Sequence, residues 1–314
     1  MNPRQVDPRS DDNEEAAPSA AHHPWAAAFH LGVVYIVWGS TYLAIRYAVR
    51  EGSGFPPFTM SGMRVAAAGA ILLAWSALTR KSLRLSRDEL RVLIVSGLLL
   101  WVGANGLVVW AEQRASSGYA ALLVAAMPIW TALMVAIIDR RAPSRLLIAS
   151  LLIGFAGMGV LSAPALLHGA RADVMSTVAL LIAPISWSAG SLLQQRRSVR
   201  VAAEVSSGYL MLFGGIGFAI VALLTREPLP TPTPSAWIAW AYLLVFGSLL
   251  GFTSFVKALK MLPTNVVMTY AYVNPLIAVL LGWVFLREPL TLATWIGTAL
   301  ILAGVAGVFR ARQS

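Results

Sequence analysis

From residue 29 onward the chain reads as long apolar runs separated by short polar stretches. The polar stretches carry the turn residues and much of the charge: GSGFPP at 52–57, RKSLRLSRDE at 80–89, DRRAPS at 139–144, REPLPTPTPS at 226–235 and REPL at 287–290. A helix rises ~1.5 Å per residue, so about 20 apolar residues cross the ~30 Å hydrocarbon layer of a bilayer. Ten runs meet that length: 29–49, 57–79, 89–111, 116–138, 144–163, 175–195, 203–225, 236–257, 264–286 and 291–310. They are near-continuously apolar and too long for the ~10-residue alternating strands of a membrane barrel, so they predict helices. The expected fold is all-α, with ten transmembrane helices and no soluble domain.

Composition strengthens this picture. Hydrophobic residues make up 58% of the 314 positions and charged residues 12%, against ~25% charged in a soluble domain. Mean hydropathy is +0.70. No soluble core could hide so much apolar surface, which makes the chain a polytopic membrane protein. Residues 1–28 are polar, with acids and prolines, and read as a disordered cytoplasmic tail rather than a signal peptide; the adjacent His22 and His23 fall in it. The absence of cysteine removes disulfides, thiolate metal sites and cysteine nucleophiles. The net charge of +10 reads as basic loops on one side of a membrane rather than a nucleic-acid surface. With the N-terminus cytoplasmic, 17 Lys and Arg fall in inner segments and 5 in outer ones. That bias places both termini inside a plasma (inner) membrane crossed many times.

The chain also repeats itself. Trp38-Gly39-Ser40 in the first run is answered 149 residues later by Trp187-Ser188 in the sixth. Pro128 near the centre of the fourth run is answered 147 residues later by Pro275 in the ninth. GFAGMGVL at 154–161 pairs with LILAGVAGVF at 300–309. Two five-helix units follow, 29–163 and 175–310. Five is odd, so the second must enter the membrane from the opposite side, the inverted-topology repeat of many secondary transporters.

Polar residues inside the runs point to a site. In MTYAYVNPLIAVLLGW (268–283) Pro275 lacks an N–H and frees the carbonyl of Ala271. Such backbone is tolerated at membrane depth only against protein or a water-filled cavity. Tyr270 and Asn274 share one helix face, whereas Tyr272 points elsewhere. These groups line a central cavity, or form a structural kink with Asn274 joining two helices. Ser40 and Thr41 in VWGSTYLAIR, and Ser188 in the matching run, can reach a substrate or bond back to the helix. Trp38 and Trp187 wall a cavity at corresponding depths, or fill a core. Asn105 is the only amide of the third run, with Trp101 one turn before it. Arg46, Arg64 and Glu112 lie near the outer ends of the first three runs. They read as a salt-bridged rim, or as gating and coupling groups with Glu112 exchanging a proton.

Other chemistries lack residues. No Gly-x4-Gly-Lys-Ser/Thr loop is present. His30 and His168 stand alone, and no acid, His and nucleophile gather at one depth, so neither an enzyme, a metal site nor a cofactor is expected.

WGSTYLAIRYA (38–48), GANGLVVWAEQ (103–113), ISWSAGS (185–191) and TYAYVNPLIAVLLG (269–282) followed by REPL together resemble the EamA-type transporters of the drug/metabolite transporter superfamily. The resemblance covers residues 30–310 and appears in both halves. It implies ten helices in two inverted repeats, cytoplasmic termini, a cavity between the repeats, and export of small metabolites, amino acids or toxic compounds. In the family a Glu commonly begins the last helix of each repeat. Glu288 matches that pattern, while Arg141 stands nearest the position in the first half. The resulting expectation is an inner-membrane secondary transporter, with a small-molecule substrate and the lipid bilayer as its partners. An exchanger of anionic or phosphorylated metabolites and a passive channel or scaffold are the alternatives.

Overall fold

The computed structural model describes residues 24–115, 117–167, 173–197, 199–286 and 290–311. His22, His23, His168 and Glu288 lie outside them. Helix α1 is Pro24–Val49, α2 Pro57–Leu78, α3 Arg87–Ala111 and α4 Tyr119–Asp139. They are followed by α5 Arg145–Leu167, α6 Val174–Arg196, α7 Ala203–Leu224 and α8 Pro234–Met261. Segment α9 comprises Thr264–Val267 and Tyr270–Leu286, and α10 is Leu292–Ala311. Among the described residues there is no strand, and nine helices are long and apolar enough to cross a membrane. The run expected at 264–286 falls outside that set because it is broken at Met268–Thr269, leaving a longer piece of 17 residues.

Helix ends follow local chemistry. Pro56 is the N-cap of α2 and Pro57 its first residue, where a missing N–H costs nothing. Ser86 and Glu89 form a reciprocal capping box at α3. Asp173 caps α6 by accepting from the Ser176 N–H at 2.9 Å, which holds its carboxyl below the usual carboxylate range. The first helix starts at Pro24, earlier than the expected 29, because PWAAA is good helix-forming sequence.

The breaks sit differently from the prolines that suggested them. The fourth run is Ser117–Val124 and Met127–Asp139, joined by a turn at Ala125–Ala126. Pro128 therefore opens the second piece rather than kinking one continuous helix. Pro275 lies within Tyr270–Leu286, and the break comes before it, at Met268–Thr269.

Two close helix pairs frame the molecule, α2 with α7 and α5 with α10. Both depend on residues without a side chain. A Cβ at Gly69 would lie 2.8 Å from the Gly208 carbonyl oxygen, and one at Gly157 2.9 Å from that of Gly297. Small residues allow membrane helices this approach and its dispersion contacts. Large apolar side chains such as Ile36, Leu152 and Leu223 cover the outside of the bundle, a surface suited to lipid.

Helices α3 and α8 each contain a π-helical stretch, Leu98–Gly106 and Leu243–Phe252. These lie 145 residues apart at their starts, so the same irregularity occurs at matching places in both halves.

The end of the bundle holding Pro24 and Ala311 is the terminal end, and the opposite one the distal end. At the terminal end Glu204 bridges Lys81 (3.0 Å) and Lys257 (2.7 Å), and Arg196 grips Asp139 through both carboxylate oxygens (2.5 and 2.8 Å). At the distal end the Glu227 carboxylate accepts from the Phe58 and Thr59 N–H groups at the start of α2 (2.9 and 2.7 Å). There too Thr231 N–H donates to Gly54 O and Thr233 N–H to Ser53 O, both at 2.9 Å.

Candidate functional site: a central cavity

A cavity of ≈ 90 Å³ lies among seven helices. Its wall is built in helical register. Helix α1 contributes Trp38, Thr41, Tyr42 and Ile45, and α3 contributes Trp101, Ala104, Asn105 and Val108. Both sets follow i, i+3, i+4, i+7, one face of a helix. Arg64 of α2, Val124 and Met127 of α4, and Ala183, Pro184 and Trp187 of α6 continue the wall. Gly247 of α8 and Tyr270 and Asn274 of α9 complete it. Both π-helical stretches border the cavity, through Trp101, Ala104 and Asn105 on one and Gly247 on the other. Such stretches are frequent at functional sites.

On its terminal side the cavity ends in packed rings. Trp38 meets Trp187 edge-on at 5.4 Å and Tyr270 edge-on at 4.9 Å, with Phe255 tilted against it at 5.1 Å. Trp101 lies 4.7 Å from Phe252. These geometries suit the ring quadrupoles. Below them Tyr35 and Thr269 share a 2.6 Å hydrogen bond. Gln195 ties α6 to the start of α9, donating to Leu262 O at 2.8 Å and accepting from the Thr264 hydroxyl. The cavity extends toward the distal side, where Ile45, Arg64 and Val108 stand.

Six of the eight expected lining residues meet here: Trp38, Thr41, Asn105, Trp187, Tyr270 and Asn274. Ser40 does not. One residue beyond Gly39, it points ~200° away from Trp38 around the helix, donating to Val37 O and sharing a hydrogen bond with Tyr242. Ser188 is fully buried between α4 and α6, accepting from Thr131 at 2.8 Å and donating to Met127 O at 3.3 Å. Short hydroxyls satisfy themselves on nearby oxygens and need no cavity. Tyr272 points away as expected, donating to Leu151 O at 3.0 Å.

Within the wall the polar groups divide by partner. The Thr41 hydroxyl donates to Trp38 O, and Tyr270 donates to the Met127 sulfur at 3.1 Å. Asn274 is 1% exposed, and with its amide turned so that the nitrogen faces the neighbouring carbonyls it donates to Tyr270 O (3.0 Å) and Tyr35 O (3.2 Å). It therefore joins α9 to α1 while also facing the cavity. Arg64 donates from Nη2 to Asn105 Oδ1 at 2.8 Å, with its guanidinium carbon 5.5 Å from the Trp101 ring centre.

The expected rim salt bridge does not form. Glu112 is 1% exposed, its two carboxylate oxygens have no hydrogen-bond partner, and it joins no ion pair among the described residues. Arg46 instead donates to Ala115 O at 3.1 Å. Glu112 stays within electrostatic reach of Arg46 and Tyr42. Arg64 belongs to the cavity wall, not the rim. Tyr42, Ile45 and Met127 went unnoticed in the sequence, although the spacing from Trp38 to Ile45 would have found the first two.

The model of the EamA-like transporter family matches residues 25–163 and again 175–310. An Escherichia coli (strain K12) protein described as "Uncharacterized inner membrane transporter YedA" is 33% identical over 277 residues, covering 88% of each chain. "Uncharacterized transporter YoaV" of Bacillus subtilis (strain 168) is 22% identical over 281 residues, 88% of this chain and 94% of its own. A crystal structure 24% identical in sequence superposes with a TM-score of 0.74 over 92% of this chain and 98% of that one, which shows a shared fold.

Proposed function

Because the chain belongs to the EamA-like transporter family, and is a multi-pass inner-membrane transporter of the drug/metabolite kind, we propose that it is a secondary carrier working by alternating access. The two halves, 29–163 and 175–310, are inverted repeats of five helices each, ten in all, with both termini in the cytoplasm. They rock about the central cavity and expose it to each side in turn. The substrate is a small metabolite, amino acid or drug-like compound, and net movement is outward. In this reading the distal end faces outside, so the cavity is caught nearer its external entrance, with the ring layer as the closed inner gate. Glu112, buried and without a hydrogen-bond partner among the described residues, carries the coupling proton.

One observation supports the reading above others: a hollow at mid-bundle, walled by three tryptophans and a few polar groups and stopped on one side by packed rings. A passive channel needs a continuous polar file, whereas here a layer of packed rings separates the polar groups of the cavity from those below it. The basic bias of the terminal-end loops supports the orientation.

The test is counterflow with the full chain in liposomes, screening labelled amino acids and amphipathic compounds with and without a proton gradient. A carrier accumulates labelled solute transiently against an unlabelled internal pool. Simple equilibration without overshoot, for every solute that enters, refutes the carrier mechanism.

A further inference from the structure

Among the described residues the cavity wall contains a cation without a counter-ion. Arg64 is the eighth residue of α2, roughly 10 Å along the helix from its distal end, and is only 3% exposed. A snorkelling arginine would reach the interface and show exposure there. A rim arginine would hold a carboxylate, yet among the described residues Arg64 joins no ion pair. Among the described residues its hydrogen-bond acceptor is the neutral amide oxygen of Asn105, and its Nε–H has no partner. The indole N–H of Trp101, whose ring lies against the guanidinium, is likewise buried without a hydrogen-bond partner among the described residues. Glu112, the buried acid at the distal end, lies outside the cavity wall and within reach of Arg46.

Three N–H groups without a partner among the described residues, those of Arg64 Nε, Trp101 and Trp187, and one positive charge without a counter-ion belong to residues that line the same hollow, and together they ask for an acceptor with negative charge. We propose that the cavity selects a compact organic monocarboxylate, its carboxylate held by Arg64 with help from the Trp101 N–H. This deepens the carrier reading above and rests on it. One guanidinium balances one carboxylate. A phosphate ester carries about −1.5 to −2 at neutral pH and would bury surplus charge. The rest of the wall, including Trp38, Val108, Val124 and Trp187, suits an apolar body. Its size is bounded by the ≈ 90 Å³ of space. A hollow of about 150 Å³ is the scale that admits benzene, so the body is a short branched chain rather than a ring.

Isobutyrate and isobutyramide differ in charge and hardly in shape. Binding of each to the purified full chain is read by quenching of tryptophan fluorescence, since three tryptophans line the cavity. Isobutyrate is expected to quench saturably, with isobutyramide about 10- to 100-fold weaker, the range for a hydrogen bond to a charged group. R64Q erases that preference, R64K retains part of it, and R91Q, at an exposed surface arginine, leaves it unchanged. Equal binding of the two compounds by the unaltered protein overturns the proposal without needing any variant to fold. So does an unchanged preference in R64Q, or saturable binding of inorganic phosphate where isobutyrate gives none. Counterflow of neutral or cationic solutes alone rejects the monocarboxylate and leaves the carrier intact. Saturable isobutyrate binding without counterflow of any solute supports the site and rejects the carrier.

Discussion

If the hollow among α1, α3 and α6 is the transport site, filling it should strengthen the fold while stopping transport. Ala104 is the place to do so. It lies on the π-helical stretch of α3, is 3% exposed, and its methyl faces the cavity between Trp101 and Val108. In protein cores an unfilled cavity costs about 24 cal/mol per Å³. For ≈ 90 Å³ the cost comes to about 2 kcal/mol, the ceiling on what a perfect filler could recover. Ala104→Leu adds three carbons into that space and should recover part of it. The stability gained at the expense of activity is a familiar trade at sites kept open for function. Thermal unfolding of the purified variant should therefore shift upward, and counterflow should fall below detection. Wild-type counterflow in a folded Ala104→Leu protein refutes the cavity as the substrate's path. A loss of 1–3 kcal/mol, the usual result of overpacking, refutes the claim that the space is open to a side chain.

Asn274→Ala should reduce counterflow at least tenfold with normal expression; unchanged rates in purified protein would remove Asn274 from the site. Glu112→Gln should keep counterflow, which moves no net proton, yet abolish transport driven by a proton gradient; persistence of driven transport would show that another group couples. Gly304→Val should lower stability by about 1–3 kcal/mol, because its Cβ would stand 2.6 Å from the Gly154 nitrogen and only movement of the backbone could relieve that; an unshifted unfolding curve would mean that α5 and α10 pack less closely than described.

The helices were legible because lipid imposes a crude rule: about 20 apolar residues, whichever way they face. That same crudeness hid what lies within them. LLLWVGANG and LLVFGSLLGF each carry a single polar side chain, Asn105 and Ser248, in an otherwise apolar run, so no periodicity betrays a change from α to π winding. Prolines marked the neighbourhood of the breaks but not their position, since Pro128 tolerates the first turn of a new helix and Pro275 lies beyond a turn already made at Met268–Thr269. At the site, large side chains announced themselves by spacing. Trp38 to Thr41, and Tyr270 to Asn274, share faces that any helix must give them. Ser40 and Ser188 misled because a hydroxyl in an apolar run suggests solvent, whereas it finds a carbonyl one turn away or a hydroxyl across the helix contact. Arg64 misled in the other direction. Charge near a helix end suggests a rim, and only side-chain packing reveals that it turns inward.

The paired π-helical stretches have a mechanical consequence. A π turn closes its hydrogen bond one residue later than an α turn and so holds one residue more. Passing that residue to a neighbouring turn would swing the intervening side chains by about 100° while every backbone amide kept a partner in the oily interior. Trp101 and Asn105 would thus be re-aimed by a twist rather than a bend, while the same slip on the other strut would shift the backbone at Gly247, so that both walls of the vestibule turn together.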